Sequence, residues 1–334
     1  MNLAGNILGH RQPIESKAWY EEIIYLLMLL RRCNIPVGQD FLARFRPLYD
    51  RLPEMLQFNP RSYAVLLHIA YELERNGIEG DASSGLIRWI LSRDLVVADH
   101  SDKGRLYGSW MMWQSNVSAL GAAGDQSLIR RTIARISRPD FYAEMPMGKD
   151  LARSVMILTA MGGLEAMATP AIKTSLRNAL FYAFLADDAE TASRLISVFH
   201  ALNMPVPQPV ENFVLRRSSK LRISGGLEHG QVDSLKLYMA SQCVAYGAGQ
   251  PVFAEALPNG PFSLHIQGDK VSPMRELQTV LRRMSIPRCG NWPAMKREIE
   301  GLLSFPTHNR LEAAAKCDGF DAFFEILSRP GDVM

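Results

Sequence analysis

Five cations recur along the chain at nearly even intervals: Arg44, Arg88, Arg130, Lys173 and Arg216, separated by 44, 42, 43 and 43 residues. Each follows an apolar residue, in the strings FLAR, GLIR, SLIR, AIK and FVLR. More cations stand close by, at Arg46, Arg131, Arg135, Arg177, Arg217, Lys220 and Arg222, and no acid occurs between Thr169 and Ala186. Rows of Lys and Arg gain affinity for nucleic acid by releasing its condensed counterions. Such contacts read backbone and shape rather than base identity. The same residues also suit a solvated helix face, and cations favour the C-terminal ends of helices.

Other chemistry is harder to assemble. Cys33, Cys243, Cys289 and Cys317 form no CxxC pair, and the seven histidines form no HxxxH, so neither a zinc site nor a secreted disulfide framework is expected. No GxSxG or GxxxxGK[ST] string is present. GGLEHG at 225–230 has no strand signal before it and reads as a flexible connection. The expectation is a protein without catalytic residues, metal or cofactor. The balance of 47% hydrophobic and 21% charged residues, with a net charge of +3, fits a soluble globular protein with ample core. Ile23 to Leu30, the most apolar run, is flanked by charges and too short to cross a bilayer, so membrane insertion is not expected. Scattered cysteines fit a reducing intracellular compartment. Residues 1–16 read as a flexible N-terminus. Their Arg11, with no acid before Glu15, resembles an organelle presequence, which adds the mitochondrial or another organelle matrix to the cytoplasm as compartments.

The elements that must position the cations show a period of their own. Six apolar helices end at Asn34, Gly77, Gly121, Gly162, Asn203 and Gly247, spaced 43, 44, 41, 41 and 44 residues apart. Gly and Asn tolerate the left-handed conformation that closes a helix. Prolines 36, 170, 205, 207 and 251 mark the following turns, and Asp40, Asp125 and Thr169 stand where they can cap a second helix. In the second unit Val65, Leu66, Ile69, Ala70 and Leu73 share one broad face. The fold class is therefore all-α, with about six helical hairpins over 17–258 stacked into an α-solenoid or closed into an αα-toroid. Residues 259–334 follow as C-terminal helical hairpins. PFSLHI at 261–266 is the one short strand candidate.

Segments such as MLQFNPRSYAVLLHIAYELERNGI and LADDAETASRLISVFHALNMPVP resemble the octotricopeptide and FAST-kinase-like helical repeats of organelles. That resemblance implies RNA or a ribonucleoprotein, such as an organellar ribosome, as partner, alongside other protein subunits. SPMRELQTVLRRMSIPRCGNWPAMKREIEGLL at 272–303 is similar to the SAP helix-loop-helix motif, through Leu277, Leu281, Ile286, Gly290, Met295, Ile299 and Leu302. This likeness implies phosphate contacts from Arg282, Arg283, Arg288, Lys296 and Arg297; Trp292-Pro293 departs from the motif.

Two other functions remain in view. Six hairpins also resemble the αα-barrel of terpenoid cyclases and prenyltransferases, which implies an isoprenoid cavity lined by Tyr25, Tyr71, Trp110, Trp113, Phe199 and Tyr238, with Asp150, Asp187, Asp188 and Asp233 near the starts of the inner helices. There is no DxDD motif, however, and ADDAE is not a full DDxxD. A protein-binding adaptor would use the apolar grooves and leave the cations incidental.

Overall fold

The computed structural model describes residues 2–9, 12–114, 126–139, 147–159, 169–226, 234–253, 257–258, 260–267, 272–284 and 288–329. The chain is predominantly helical, as the periodicity predicts. In chain order its helices begin with α1 (Asn2–Gly9), α2 (Lys17–Arg32), α3 (Gln39–Ala43), α4 (Arg46–Phe58) and α5 (Tyr63–Arg75). Then come α6 (Ala82–Leu91), α7 (Leu95–Ala98), α8 (Asp102–Gln114), α9 (Gln126–Ile136) and α10 (Met147–Leu158). There follow α11 (Pro170–Leu185), α12 (Ala189–Ala201), α13 (Gln208–Ser218), strand β1 (Leu221–Gly225), α14 (Leu235–Gly247) and strand β2 (Phe262–Ile266). The last are α15 (Pro273–Arg283), α16 (Trp292–Ile299), α17 (Phe305–Ala315) and α18 (Phe320–Ser328). Two compact units form, Met1–Arg130 with Leu221–His265, and Arg131–Lys220 with Ile266–Met334. Neither ends at residue 258, where the sequence pattern places the end of the array.

In the first unit α5 is the central helix, packed on α2, α4, α6 and α8. Leu66, Ile69, Ala70 and Leu73 are buried as expected, but so are Leu67, Tyr71, His68 and Glu72. A helix enclosed on several sides buries whatever its sequence puts there, polar groups included. The α5–α8 approach depends on Gly108, where a Cβ would run into the Tyr63 hydroxyl. The start of α6 is capped from outside: the Tyr49 hydroxyl accepts from Ala82 N at 2.9 Å and the Glu74 carboxylate from Ser83 N at 2.9 Å.

Three of the expected stops hold the left-handed conformation, Asn34 at φ 48°, Gly77 at 104° and Asn203 at 51°. The last of these helices ends at Gly247 as expected, and the left-handed residue after it is Gly249, with φ 69°. Gly121, Gly162 and Asp125 lie outside the described residues. Thr169 caps α11 by accepting from Ile172 N at 3.4 Å. Asp40 sits inside the first turn of α3, whose capping position is Gly38.

One expectation needs correction, and the strand expectation holds with a partner the sequence did not offer. Residues 2–9, read as part of a flexible terminus, form α1 and pack on α2. Leu3, Ala4 and Ile7 are buried, and Asn6 donates to the Gly260 carbonyl at 3.2 Å; a short apolar face with a docking surface is ordered whatever its place in the chain. The PFSLHI strand does form, as β2, but it needs a partner, and that partner is β1. Gly226 N donates to Pro261 O and Gln267 N to Lys220 O, so the pair runs antiparallel.

The second unit is organised around α11, which packs on α10, α12, α13, α15, α17 and α18. Its buried Ser175 and Asn178 donate to the carbonyls of Arg138 and Pro139, both at 2.8 Å. The C-terminal helices close on it through aromatic rings: Phe181 meets Phe320 and Phe323, and Trp292 meets Phe320 and Phe324 at centroid distances of 5.4 and 5.0 Å. Trp292, the residue that departs from the SAP pattern, is thus a core anchor with 5% exposure. Replacing Trp292→Ala should cost about 3–5 kcal/mol of stability, as for other large-to-small core changes, seen as an earlier urea midpoint. An unchanged midpoint would show that the C-terminal helices are not held by this cluster.

Candidate functional site

The in-phase cations fall on or at the end of five helices, at different heights along them. Arg44 closes α3, Arg88 and Arg130 lie within α6 and α9, Lys173 lies in the first turn of α11, and Arg216 lies in the last turn of α13. The sequence period is kept while the helices range from 5 to 16 residues, so the cations do not occupy one equivalent turn. Arg44, Arg88, Arg130 and Arg216 are exposed and Lys173 is half-buried. Arg44 also lies against α1, where a Cβ on Gly5 would come within 2.9 Å of its guanidinium.

Their neighbours divide in the same way. Arg131, Lys220, Arg222, Arg282, Arg283 and Arg297 are exposed, while Arg135, Arg177 and Arg288 are partly covered. Arg177 packs its stem beside Gly319. Lys296 is paired with Glu312 at 3.0 Å. Arg217, expected on an open basic edge, is instead turned onto the buried Asp187, which Arg310 also reaches at 3.4 Å. Arg310 lies over the rings of Phe184 and Phe213, 4.9 and 4.5 Å from their centroids, and donates to the Phe184 carbonyl at 2.9 Å. Burial lowers the Arg310 pKa, and Arg216 and Arg217 add to that, with Asp187 opposing.

A second polar constellation, absent from the sequence expectations, lies inside the first unit. Arg31 on α2 grips Glu72 on α5 with two hydrogen bonds, of 2.9 and 2.8 Å. One turn earlier on α5, His68 places Nε2 3.5 Å from the same carboxylate and bonds through Nδ1 to the Tyr107 hydroxyl on α8. Trp110 stands edge-on to the His68 ring at 5.1 Å. Burial is the strongest influence on Glu72 and would raise its pKa, but the His68 and Arg31 contacts together outweigh it and bring it down to about 2. The Arg31–Glu72 separation of 41 residues is close to one repeat. The signal for this site is a His and a Glu four residues apart in the largely apolar stretch of α5 from Tyr63 to Leu73.

The residues that a cyclase likeness implies are engaged elsewhere. Asp187 holds Arg217 and Arg310, and Asp188 caps α12 by accepting from Thr191 N at 3.0 Å. Trp110, Phe199, Tyr71 and Tyr238 are core residues, Tyr25 and Asp150 are half-buried, Trp113 is part of α8, and Asp233 lies outside the described residues. Ile286 of the SAP-like loop also lies outside it, and Leu302 is exposed. In the C-terminal helices α15 packs on α17 and α16 on α18. Among the described residues there is no cluster of His, Cys, Asp and Glu able to hold a metal ion, and no helix is long and apolar enough to cross a membrane.

These features define a predominantly helical protein with buried ion pairs between helices and cations on its outer turns. The chain belongs to the family described as Domain of unknown function (DUF6902), whose model matches residues 2–330. Comparison with curated proteins and with solved structures gave no match.

The Glu72 cluster has a pH signature. A carboxylate whose folded pKa is about 2 against an ordinary 4.5 stabilises the fold above pH 4.5 and loses that contribution as pH falls towards 2. The difference in unfolding free energy between wild type and Glu72→Gln should be about 3 kcal/mol near neutrality and shrink across that window. A difference that stays constant with pH would show that the carboxylate charge is not what Arg31 and His68 stabilise.

Proposed function

We propose that this chain is a helical-repeat scaffold that binds RNA, or the RNA surface of a ribonucleoprotein, through cations on its second helices. The observation that carries this reading is the composition of α6 and α9. Arg88, Arg130 and Arg131 are exposed on helices that contain no acid, opposite buried Leu86, Ile87, Leu128, Thr132 and Ile136. Exposed guanidinium groups suit phosphate oxygens and impose no base preference. Arg217 and Lys296 drop out of the contact set because each already faces a carboxylate. The stacking of hairpins into a solenoid, or their closure into an αα-toroid, belongs to the same proposal. Its support within the first unit is the row α14–α2–α5–α8 of first helices, in which the sixth meets the first.

A protein-binding adaptor is the second reading, favoured by one surface. Phe58 and Val97 are 82% and 75% exposed, next in sequence to a shallow depression lined by Gln57, Pro60, Trp89, Arg93 and Leu95. Exposed large apolar groups around a depression mark contact surfaces.

Fluorescence anisotropy with a labelled single-stranded RNA and an RNA hairpin, over a salt series, separates the two. Binding should weaken linearly in log salt, with a slope of about −0.7 per phosphate neutralised on the single strand. The triple variant Arg88→Glu, Arg130→Glu, Arg131→Glu should lose binding while keeping its helical circular dichroism. No binding at low salt, or affinity untouched in the variant, would leave the adaptor reading in place.

A further inference from the structure

The four cysteines look unrelated in sequence, yet two of them meet. α14 packs on α2, and the helices run parallel: Lys236 near the start of α14 pairs with Glu21 near the start of α2 at 3.1 Å, and at the far ends Asn34 donates to the Tyr246 hydroxyl at 3.3 Å. Cys33 immediately precedes Asn34, and Cys243 lies one turn before Tyr246, on the same face of α14. The flanking contacts thus place the two sulfurs opposite each other, and the Cys33 and Cys243 thiols are hydrogen-bonded. Both are reduced, Cys33 being buried and Cys243 half-buried. Cys289 is exposed and Cys317 is half-buried.

We propose that Cys33 and Cys243 form a redox-modification site, which a low-molecular-weight disulfide such as glutathione disulfide converts reversibly into a cross-link between α2 and α14. Cys243, the more accessible sulfur, takes the first step: its thiolate attacks the small disulfide, forms a mixed disulfide and releases one thiolate. The Cys33 sulfur, as thiolate, then attacks the Cys243 sulfur, the bond between the two helices forms, and the second small thiolate leaves. The two protein thiols lose two electrons and two protons, and the small disulfide is reduced to two thiols. The hydrogen bond to Cys243, and after it burial, push the Cys33 thiol up from its ordinary range, which fits its role as the second and slower nucleophile rather than the entry point. The cross-link closes a loop of more than two hundred residues, and so restricts the unfolded chain strongly.

The test incubates the folded full chain with glutathione disulfide, alkylates the remaining thiols with N-ethylmaleimide, and maps peptides by mass spectrometry. The expected result is a peptide pair joined through Cys33 and Cys243, lighter by two hydrogens and lacking alkylation at both, with a higher thermal midpoint that dithiothreitol reverses. Cys33→Ala should stop at a stable glutathione adduct on Cys243, and Cys243→Ala should leave Cys33 unmodified. Wild-type protein in which Cys243 keeps glutathione, in which both thiols remain alkylatable, or in which the bridge forms through Cys289 or Cys317 would overturn the proposal. The wild-type map decides the matter even if a variant fails to fold.

Discussion

A carboxylate taken out of water must be met by charge and hydrogen bonds, and Glu72 is met from two sides at once. Arg31 reaches it from α2, and His68 from its own helix, while His68 is steadied by Tyr107 and Trp110 on α8. A buried ion pair adds little net stability over a well-packed apolar substitute, but breaking one leaves an unpaired charge in the core at a cost of about 3–5 kcal/mol. Its effect is therefore to specify which helices meet and in which register. The same three helices bury Leu27, Leu30, Leu66, Ile69, Leu73 and Met111, so the polar contact and the apolar core share one set of helices.

The second unit solves the same problem differently. Its central helix carries small polar residues, Ser175 and Asn178, that are satisfied by backbone carbonyls rather than by charge. Just beyond α11, Asp187, itself in a left-handed conformation at φ 59°, gathers Arg217 and Arg310. Aromatic packing then does what the ion pair does in the first unit, joining α11 to α16 and α18 through Phe181, Trp292, Phe320 and Phe324.

Much of the helical plan was legible because it is local. Asn34, Gly77 and Asn203 close helices for a reason carried by each residue alone, and Thr169 caps α11 through its own hydroxyl. What the sequence did not reveal depends on distant partners. The strand propensity of PFSLHI was visible, while β1 was not, since LRISG reads as a strand only when β2 lies beside it. Residues 2–9 looked like a loose end because nothing local announces the α2 surface that orders them. The cations were legible as a period, but their exposure was not: Arg216 and Arg217 are adjacent in sequence, and only the fold sends one to solvent and the other to Asp187.

The first unit is assembled from two stretches of chain separated by ninety residues of the second. At a synthesis rate of roughly 5–20 residues per second, α2 waits on the order of ten seconds or more for α14 to be made. Through that interval the side of α2 that α14 will cover has no partner from its own unit, and Leu235, Leu237, Met239 and Val244 are not there to shield it. The second unit shares this delay, since α11 is complete long before α18 arrives with its phenylalanines. Nascent chains of intermediate length therefore present two unfinished apolar surfaces, and both invite a holding chaperone until α14 and α18 emerge.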